Sequence, residues 1–277
     1  MIKNSILTLC VALCSLTASA QFYVSFSGGY AFGAGEKEFG TNSVLGPTGI
    51  TNLGTFEGSY GEGVQTQLRG GYFFNEKWGV EVGVGYIYGT DQQFQQVAGI
   101  LDMKTRGRAF GASLSGIYNI TKNVYVRAGV LTKIAGKTEA VVDLTLPNTL
   151  TGAGDLKADY TTDFRGEFPL GFIGAAGYKF PISDNLSLFA EVEYMAINVT
   201  RDISELGDFS ATINGTTSIP ASVLAQQLTT GPLAATPLSD LALLLQDELQ
   251  WGENGLPSPE APYSSIGFNF GITYSFK

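Results

Sequence analysis

The residues in this sequence best placed to do chemistry are charges in an unusual context. Arg69, Glu81, Arg127, Lys133, Arg165, Glu167, Glu191 and Glu193 fall among glycine, serine and alanine at every second position, opposite large apolar side chains. A β-strand sends successive side chains to opposite faces, so these charges share the small-residue face and avoid the apolar one. Charges confined in this way persist only when they are paired and hydrogen-bonded. Two roles follow from that: a salt-bridged plug, or a gated or cation-selective constriction. An eight-stranded interior is just wide enough for its own side chains, which favours the plug. Counted from the nearest tight turn, Arg69, Glu81, Arg127, Glu191 and Glu193 lie within about one to three pleats of the same end and are expected to meet in one layer.

Most catalytic chemistries are excluded by composition. Histidine is absent, which removes the side chain best suited to acid/base work near neutral pH and the commonest metal ligand. Both cysteines, Cys10 and Cys14, lie in the first twenty residues. There Lys3 precedes an apolar stretch that ends in Ala18-Ser19-Ala20, the layout of a secretory signal cleaved after Ala20. The stretch is too short to span a bilayer as a helix. The expected division is therefore a signal peptide over 1–20 and one barrel domain over 21–277, with no cysteine nucleophile left after processing. Lys and Arg total 16 against 25 for Asp and Glu, a net charge of −9, and nucleic acid, which requires a basic face, is not an expected partner. The Gly83 to Gly89 stretch stays in strand alternation and opens no helix, so it is no phosphate loop. Neither catalysis nor a cofactor is expected.

Only 15% of the residues are charged, against about 25% in an average soluble domain. With 36 glycines, 18 phenylalanines and 13 tyrosines, this composition suggests β-structure beside something other than water. Near the C-terminus Ile266, Phe268, Phe270, Ile272, Tyr274 and Phe276 alternate strictly with Ser265, Gly267, Asn269, Gly271, Thr273 and Ser275. The same period recurs from Phe22 to Phe32, Val64 to Phe74, Trp78 to Tyr88, Phe110 to Ile120, Val124 to Ile134, Phe164 to Phe180 and Leu186 to Tyr194. No later run is long and apolar enough for a transmembrane helix, so a membrane span would have to be a β-barrel. Connections near 75–77, 119–123 and 181–185 are short, whereas 35–60, 92–104, 138–162 and 203–261 are long. Short turns at one end, long loops at the other and an even strand number predict an all-β, antiparallel transmembrane barrel of eight strands with periplasmic turns and extracellular loops. A soluble barrel would turn its apolar faces inward and its charges outward. An extra hairpin at Asn214-Gly215 would raise the number to ten.

The sequence resembles the outer-membrane β-barrel superfamily of Gram-negative bacteria, in particular the small OmpA/OmpX/OmpW-like, porin-family barrels. The resemblance is carried by the final GFNFGITYSFK, the signal ending ASA-QF, and the pairs GGYAF, GGYFF and GVGYIYG. It implies an integral outer-membrane location among lipid and lipopolysaccharide, and a C-terminal strand read by the barrel assembly machinery. Here Phe276 is penultimate and Lys277 follows it. The hydrolases and proteases built on such barrels depend on histidine, which this chain lacks.

The last long loop is the second candidate. Thr236-Pro237 reads as a helix N-cap and first-turn proline. Leu238, Leu241, Leu244, Leu245 and Leu249 then recur at helical spacing up to Trp251, and Ala221 to Leu228 offers a second short helix. The leucines are expected either to bury locally as a cap on the barrel mouth, or to dock on a partner protein or cover an apolar ligand entrance. The loop's scattered carboxylates read as solvated charge; bridging divalent cations to lipopolysaccharide is the sharper alternative. Three functional readings stay open: a structural or surface-interaction protein with a plugged lumen, a narrow porin or transporter for small or apolar solutes, and a subunit of a larger outer-membrane complex docking through the last loop.

Overall fold

The computed structural model describes residues 21–35, 37–46, 49–152, 154–252 and 255–276. The expected signal segment and Lys277 lie outside them. The strands, in chain order, begin with β1 (Gln21–Gly33), β2 (Lys37–Gly46), β3 (Gly49–Gly58), β4 (Gly63–Phe73), β5 (Trp78–Gly89) and β6 (Gln92–Val97). They continue with β7 (Leu101–Asn119), β8 (Val124–Leu146), β9 (Leu156–Gly166), β10 (Gly171–Pro181), β11 (Leu186–Ala196) and β12 (Asn198–Ile213). Four more follow: β13 (Thr217–Ser218), β14 (Glu248–Gln250), β15 (Glu260–Pro262) and β16 (Ser265–Ser275). Two short helices, α1 (Asn148–Thr151) and α2 (Ala221–Thr229), and a 3₁₀ run over Pro237–Leu245 lie in the long connections.

Eight of the strands close a barrel. β1 pairs with β4, and the antiparallel ladder runs through β5, β7, β8, β10, β11 and β16 back to β1. The three short connections are locally determined. Asn75 Oδ1 accepts from the backbone N–H groups of Lys77 and Trp78, Thr121 Oγ1 from those of Asn123 and Val124, and Ser183 Oγ from that of Leu186. Such side-chain-to-backbone bonds replace one rung of backbone pairing in a turn. The outer surface of the ladder is apolar, with Phe22, Leu68, Val82, Leu114, Phe172 and Phe270 all exposed. Aromatic pairs rim this belt: Trp78–Tyr118, Tyr178–Phe180 and Tyr274–Phe276 at the short-turn end, Tyr30–Phe32 and Tyr86–Phe110 at the other.

The long connections are not loops. β7 and β8 pair continuously from the short-turn end to Leu101↔Leu144, well past the belt, and each changes its other partner on the way. Lower β7 pairs with β5 and upper β7 with β6, while lower β8 pairs with β10 and upper β8 with β9. β9 passes the sheet on to β12, and β2 and β3 extend it beyond β6. The Asn214-Gly215 turn joins β12 to β13 within this extension, with positive φ at both residues, so the barrel has eight strands and not ten.

The extension reverses the barrel's polarity. On β7 the inner face carries Gly111, Ser113 and Ser115 within the belt but Leu101, Met103 and Ala109 above it, while the outer face changes from Phe110 and Leu114 to Asp102, Lys104 and Arg106. Hydrocarbon surrounds the lower part and water the upper, so the side that excludes charge switches. On β8 a bulge at Ile134, where Phe110↔Ala135 is followed by Gly111↔Lys133, shifts the alternation by one residue. A single extra residue exchanges the two faces of a strand. Inward positions are therefore odd-numbered below the bulge, as at Arg127 and Leu131, and even-numbered above it, as at Ala140, Val142 and Leu144.

The expected single strand from Phe164 to Phe180 is two strands that belong to different parts of the molecule. β9 ends at Gly166 in the extension, β10 begins at Gly171 in the barrel, and Pro169 stands between them. Proline lacks a ladder donor, so it breaks the run even though the alternation continues through it.

Candidate functional site

The barrel interior is stacked in layers. At the short-turn end lies an aromatic floor of Tyr23, Phe73, Tyr125 and Phe189 with Ile117. Three of its rings rest on glycines of the neighbouring strand, since the register pairs Tyr23 with Gly71, Tyr125 with Gly177 and Phe189 with Gly271. A β-carbon at any of these glycines would overlap the ring. Lys179 sits over the Phe73 and Tyr125 rings at 5.0 and 4.9 Å and donates to Asn119 Oδ1 at 3.2 Å.

The charges converge directly above. Arg69 on β4 donates to Glu191 Oε1 on β11 at 2.8 Å, and Arg127 on β8 reaches the same oxygen at 3.0 Å and also pairs with Glu193. Glu81 on β5 stands 3.8 Å from Arg69 and 3.9 Å from Arg127. The remaining carboxylate oxygens are satisfied by neutral donors: Tyr23 Oη gives a 2.8 Å bond to Glu81, Tyr125 Oη a 2.7 Å bond to Glu191, and Gln67 Nε2 bonds of 2.8 and 3.0 Å to Glu193. Gln65 donates to Asn269 Oδ1 at 2.8 Å, and Asn269 donates to Glu191 at 3.4 Å. No side chain of the five charges is more than 4% exposed. Strands on all sides of the barrel contribute to the layer, so it spans the lumen from wall to wall.

Three of the sequence-predicted residues lie elsewhere. Lys133 points inward one level up, where its Nζ has no hydrogen-bond partner and lies 5.8 Å from the Tyr263 ring. Arg165 lies on the outer face of β9 and pairs with Glu205 at 2.9 Å, and Glu167 is exposed in the link between β9 and β10. Neither is in the lumen, because the strand expected to carry them there ends at Gly166. Conversely, charge pattern alone does not name Tyr23, Gln65, Gln67, Tyr125 or Asn269. Their parity does: Tyr23 shares its face with Ser25, Gln65 and Gln67 share theirs with Arg69, and Tyr125 shares its face with Arg127.

Above the charge layer a cavity of about 90 Å³ is lined by Ile87, Leu131, Ile173 and Met195 and reached by Lys133 and Glu193. Tyr60 and Tyr263 close its top, 5.5 Å between ring centroids, and the Tyr263 hydroxyl lies 2.6 Å from Thr138 Oγ1. Higher still, the inner face of the extension packs against the last long connection. Leu224 and Leu228 of α2 and Leu238, Leu241, Leu244 and Leu245 of the 3₁₀ run are all buried there. Spacing by three puts Leu238, Leu241 and Leu244 on one edge of a three-residue helix, which accounts for 3₁₀ winding where α was expected. Thr236 Oγ1 caps it by accepting from Leu238 N–H, as the sequence suggests, and Thr162 Oγ1 holds the Leu244 carbonyl at 2.9 Å. Leu249, on β14, and Trp251 are half-buried, and the Trp251 indole N–H donates to Ser204 at 2.9 Å. The leucine stripe is thus covered by the chain's own sheet.

Outside, the extension carries a ladder of ion pairs. Arg106 meets Glu139 and Asp91, and Lys137 bridges Glu139 at 3.0 Å and Asp163 at 2.7 Å. Glu139 is half-buried; burial favours its neutral form, but the adjacent Lys137 and Arg106 outweigh it and hold the carboxyl below its ordinary value. Among the described residues no three His, Cys, Asp or Glu side chains are grouped to hold a metal ion, and no helix is long and apolar enough to cross a membrane.

A closed antiparallel barrel with an apolar outer belt, aromatic girdles at both rims and a polar interior is a transmembrane β-barrel. A family model described as outer membrane protein beta-barrel domain matches residues 6–211, more than half of the chain, and the chain belongs to that family. It is an integral outer-membrane protein. Among solved structures it is similar to the outer membrane protein OprG of Pseudomonas aeruginosa, at 14% identity and a TM-score of 0.43, covering 93% of this chain and 96% of that one. It is also similar to a major outer membrane protein of Thermus thermophilus, at 14% identity and a TM-score of 0.44 with 93% and 99% covered. A third similarity is to Ail, the attachment invasion locus protein of Yersinia pestis, at 11% identity and a TM-score of 0.34 with 93% and 97% covered. No curated protein sequence matches the chain.

Proposed function

We propose that this protein is a non-conducting outer-membrane anchor that presents a folded β-sheet extension at the cell surface, with a structural or surface-interaction role and no catalytic activity. The observation that carries this reading is the charge layer of Arg69, Glu81, Arg127, Glu191 and Glu193, whose buried side chains reach across the lumen to one another and take up the hydroxyls of Tyr23 and Tyr125. The Tyr60–Tyr263 closure and the leucine cap stand in series above it. In support of the anchor role, the surface part has its own apolar core and its own external ion-pair ladder, which a simple pore mouth does not need. The leucines that would otherwise offer a docking stripe are already engaged, so a partner would have to meet the extension's outer face. Conductance of the purified protein in planar bilayers tests this. The expected trace shows no steady current for the wild-type chain; a steady current that changes with Glu191→Ala would overturn the plug and favour a narrow porin.

A further inference from the structure

The extension holds a cation that the anchor role does not use. Arg201, on β12, is half-buried, and its guanidinium lies against the rings of Phe164 and Trp251, 3.8 and 4.6 Å from their centroids. It forms no ion pair with any described residue, whereas Arg106, Lys137 and Arg165 on the outer face of the same sheet all do. Its aim is set by the backbone. The register between β12 and β9 shifts between Arg201 and Ile203, and the Trp251 N–H takes the Asp202 carbonyl at 2.7 Å. Bulges of this kind redirect a side chain. Burial pushes the pKa of the guanidinium down to about 10, the mark of a charge that its surroundings do not compensate.

Arg201 opens on a groove of about 400 Å³ between strands β6 and β7 and the 3₁₀ run, walled by Phe94, Met103, Phe164, Leu241, Leu244 and Trp251. Ligand sites have this character: mostly apolar walls, a few convergent polar groups and a volume of about 300–1,000 Å³. We propose that the groove binds a small amphiphile with one carboxylate, its head on the N–H edge of Arg201 and its apolar body along the groove. With two rings against the guanidinium, its N–H groups are what it offers a ligand, and their fork matches a carboxylate's two oxygens. The exposed Asp240 on the groove's rim opposes heads with several negative charges and so selects a monoanion. The site lies outside the barrel, and its occupancy does not depend on whether the lumen conducts.

The sequence holds two tryptophans, Trp78 and Trp251; a Trp78→Phe chain reports from the groove alone. Reconstituted in phosphatidylcholine nanodiscs, it is titrated with decanoate, decanol and decyltrimethylammonium while Trp251 emission is followed. Saturable change with decanoate is expected at concentrations about tenfold or more below those of the other two, and Arg201→Gln should remove that preference while leaving the decanol response in place. Arg201→Lys, which keeps the charge, should retain part of it. Equal responses to all three probes in the Trp78→Phe chain, or a decanoate preference that survives Arg201→Gln, would overturn the proposal. The first comparison uses no Arg201 variant, so it decides even where Arg201→Gln fails to fold.

Discussion

Glu191 is the point on which the lumen network turns. It receives both arginines and the Tyr125 hydroxyl, and its side chain is fully buried. Cutting it to alanine leaves two guanidiniums in a buried layer with Glu81 and Glu193 as its only carboxylates. Removing one member of a buried ion pair costs about 3–5 kcal/mol, because the remaining charge is left uncompensated. Glu191→Ala should lower the urea-unfolding stability of the vesicle-embedded barrel by about that amount, and an unchanged midpoint would show that the layer is not a structural tie. At this scale much of the network was legible beforehand: Arg69, Glu81, Arg127, Glu191 and Glu193 stand out as charges on a small-residue face. The neutral donors did not stand out, because a tyrosine or glutamine at an inward position differs from one at an outward position only in parity, and parity has to be counted strand by strand.

Strands β7, β8 and β9 show what alternation conveys and where it misleads. Within the belt, apolar side chains point outward; above it they point inward, and the outer face becomes the Arg106–Glu139–Lys137–Asp163 ladder. Each segment looks like an ordinary amphipathic strand, so the sequence shows strands but not the level at which the surrounding solvent changes. The bulge at Ile134 and the proline at 169 mark two such transitions, and both are single residues inside otherwise regular runs. The ladder has a defined pH response. The folded-state carboxyl of Glu139 lies below its unfolded value, so its contribution is complete above the ordinary glutamate range and is lost as pH falls through the folded value. For Lys137 the cost of burial is outweighed by Asp163 and Glu139, which raise it, so its contribution is lost only as pH rises past the ordinary lysine range. Protection factors of the amides in upper β7 and β8, which remove the intrinsic pH dependence of exchange, should therefore stay level through the neutral range and fall on acidification below the glutamate range, and Glu139→Gln should abolish that acid step.

One chain here folds in two solvents. The barrel is stabilised by hydrocarbon outside and paired charge inside, the extension by apolar burial inside and ion pairs outside, and β7 with β8 runs unbroken through both. Damage to one part should stay local. Leu238, 1% exposed in the extension's core, should cost about 2–5 kcal/mol when cut to alanine. The loss should appear as faster hydrogen exchange in β9 and β12, with exchange in β1, β4 and β16 unchanged; loss of protection in those barrel strands as well would mean that the two parts form one cooperative unit. From sequence, the long connections read as loops because their alternation, regular as it is from Leu156 to Arg165, puts charge on one whole face, which a strand facing hydrocarbon does not. Their strands pair mainly with distant partners, and it is the assembled sheet that gives them an inside.

The rings seated on glycine in the barrel floor bear on how the strands find one another. Alternation of faces penalises any mispairing by an odd number of residues, because it would turn charge toward lipid. Mispairing by two keeps every face correct and goes unpunished by polarity. The glycine seats supply the missing penalty: shifted by two, Tyr23 would oppose Arg69 or Phe73 in place of Gly71, and Phe189 would oppose Asn269 or Thr273 in place of Gly271. Each seat works as a key cut for one alignment, and the keys sit in three separate seams, β1–β4, β8–β10 and β11–β16. Three of the eight seams of the ring are thereby held to one alignment by shape as well as by polarity.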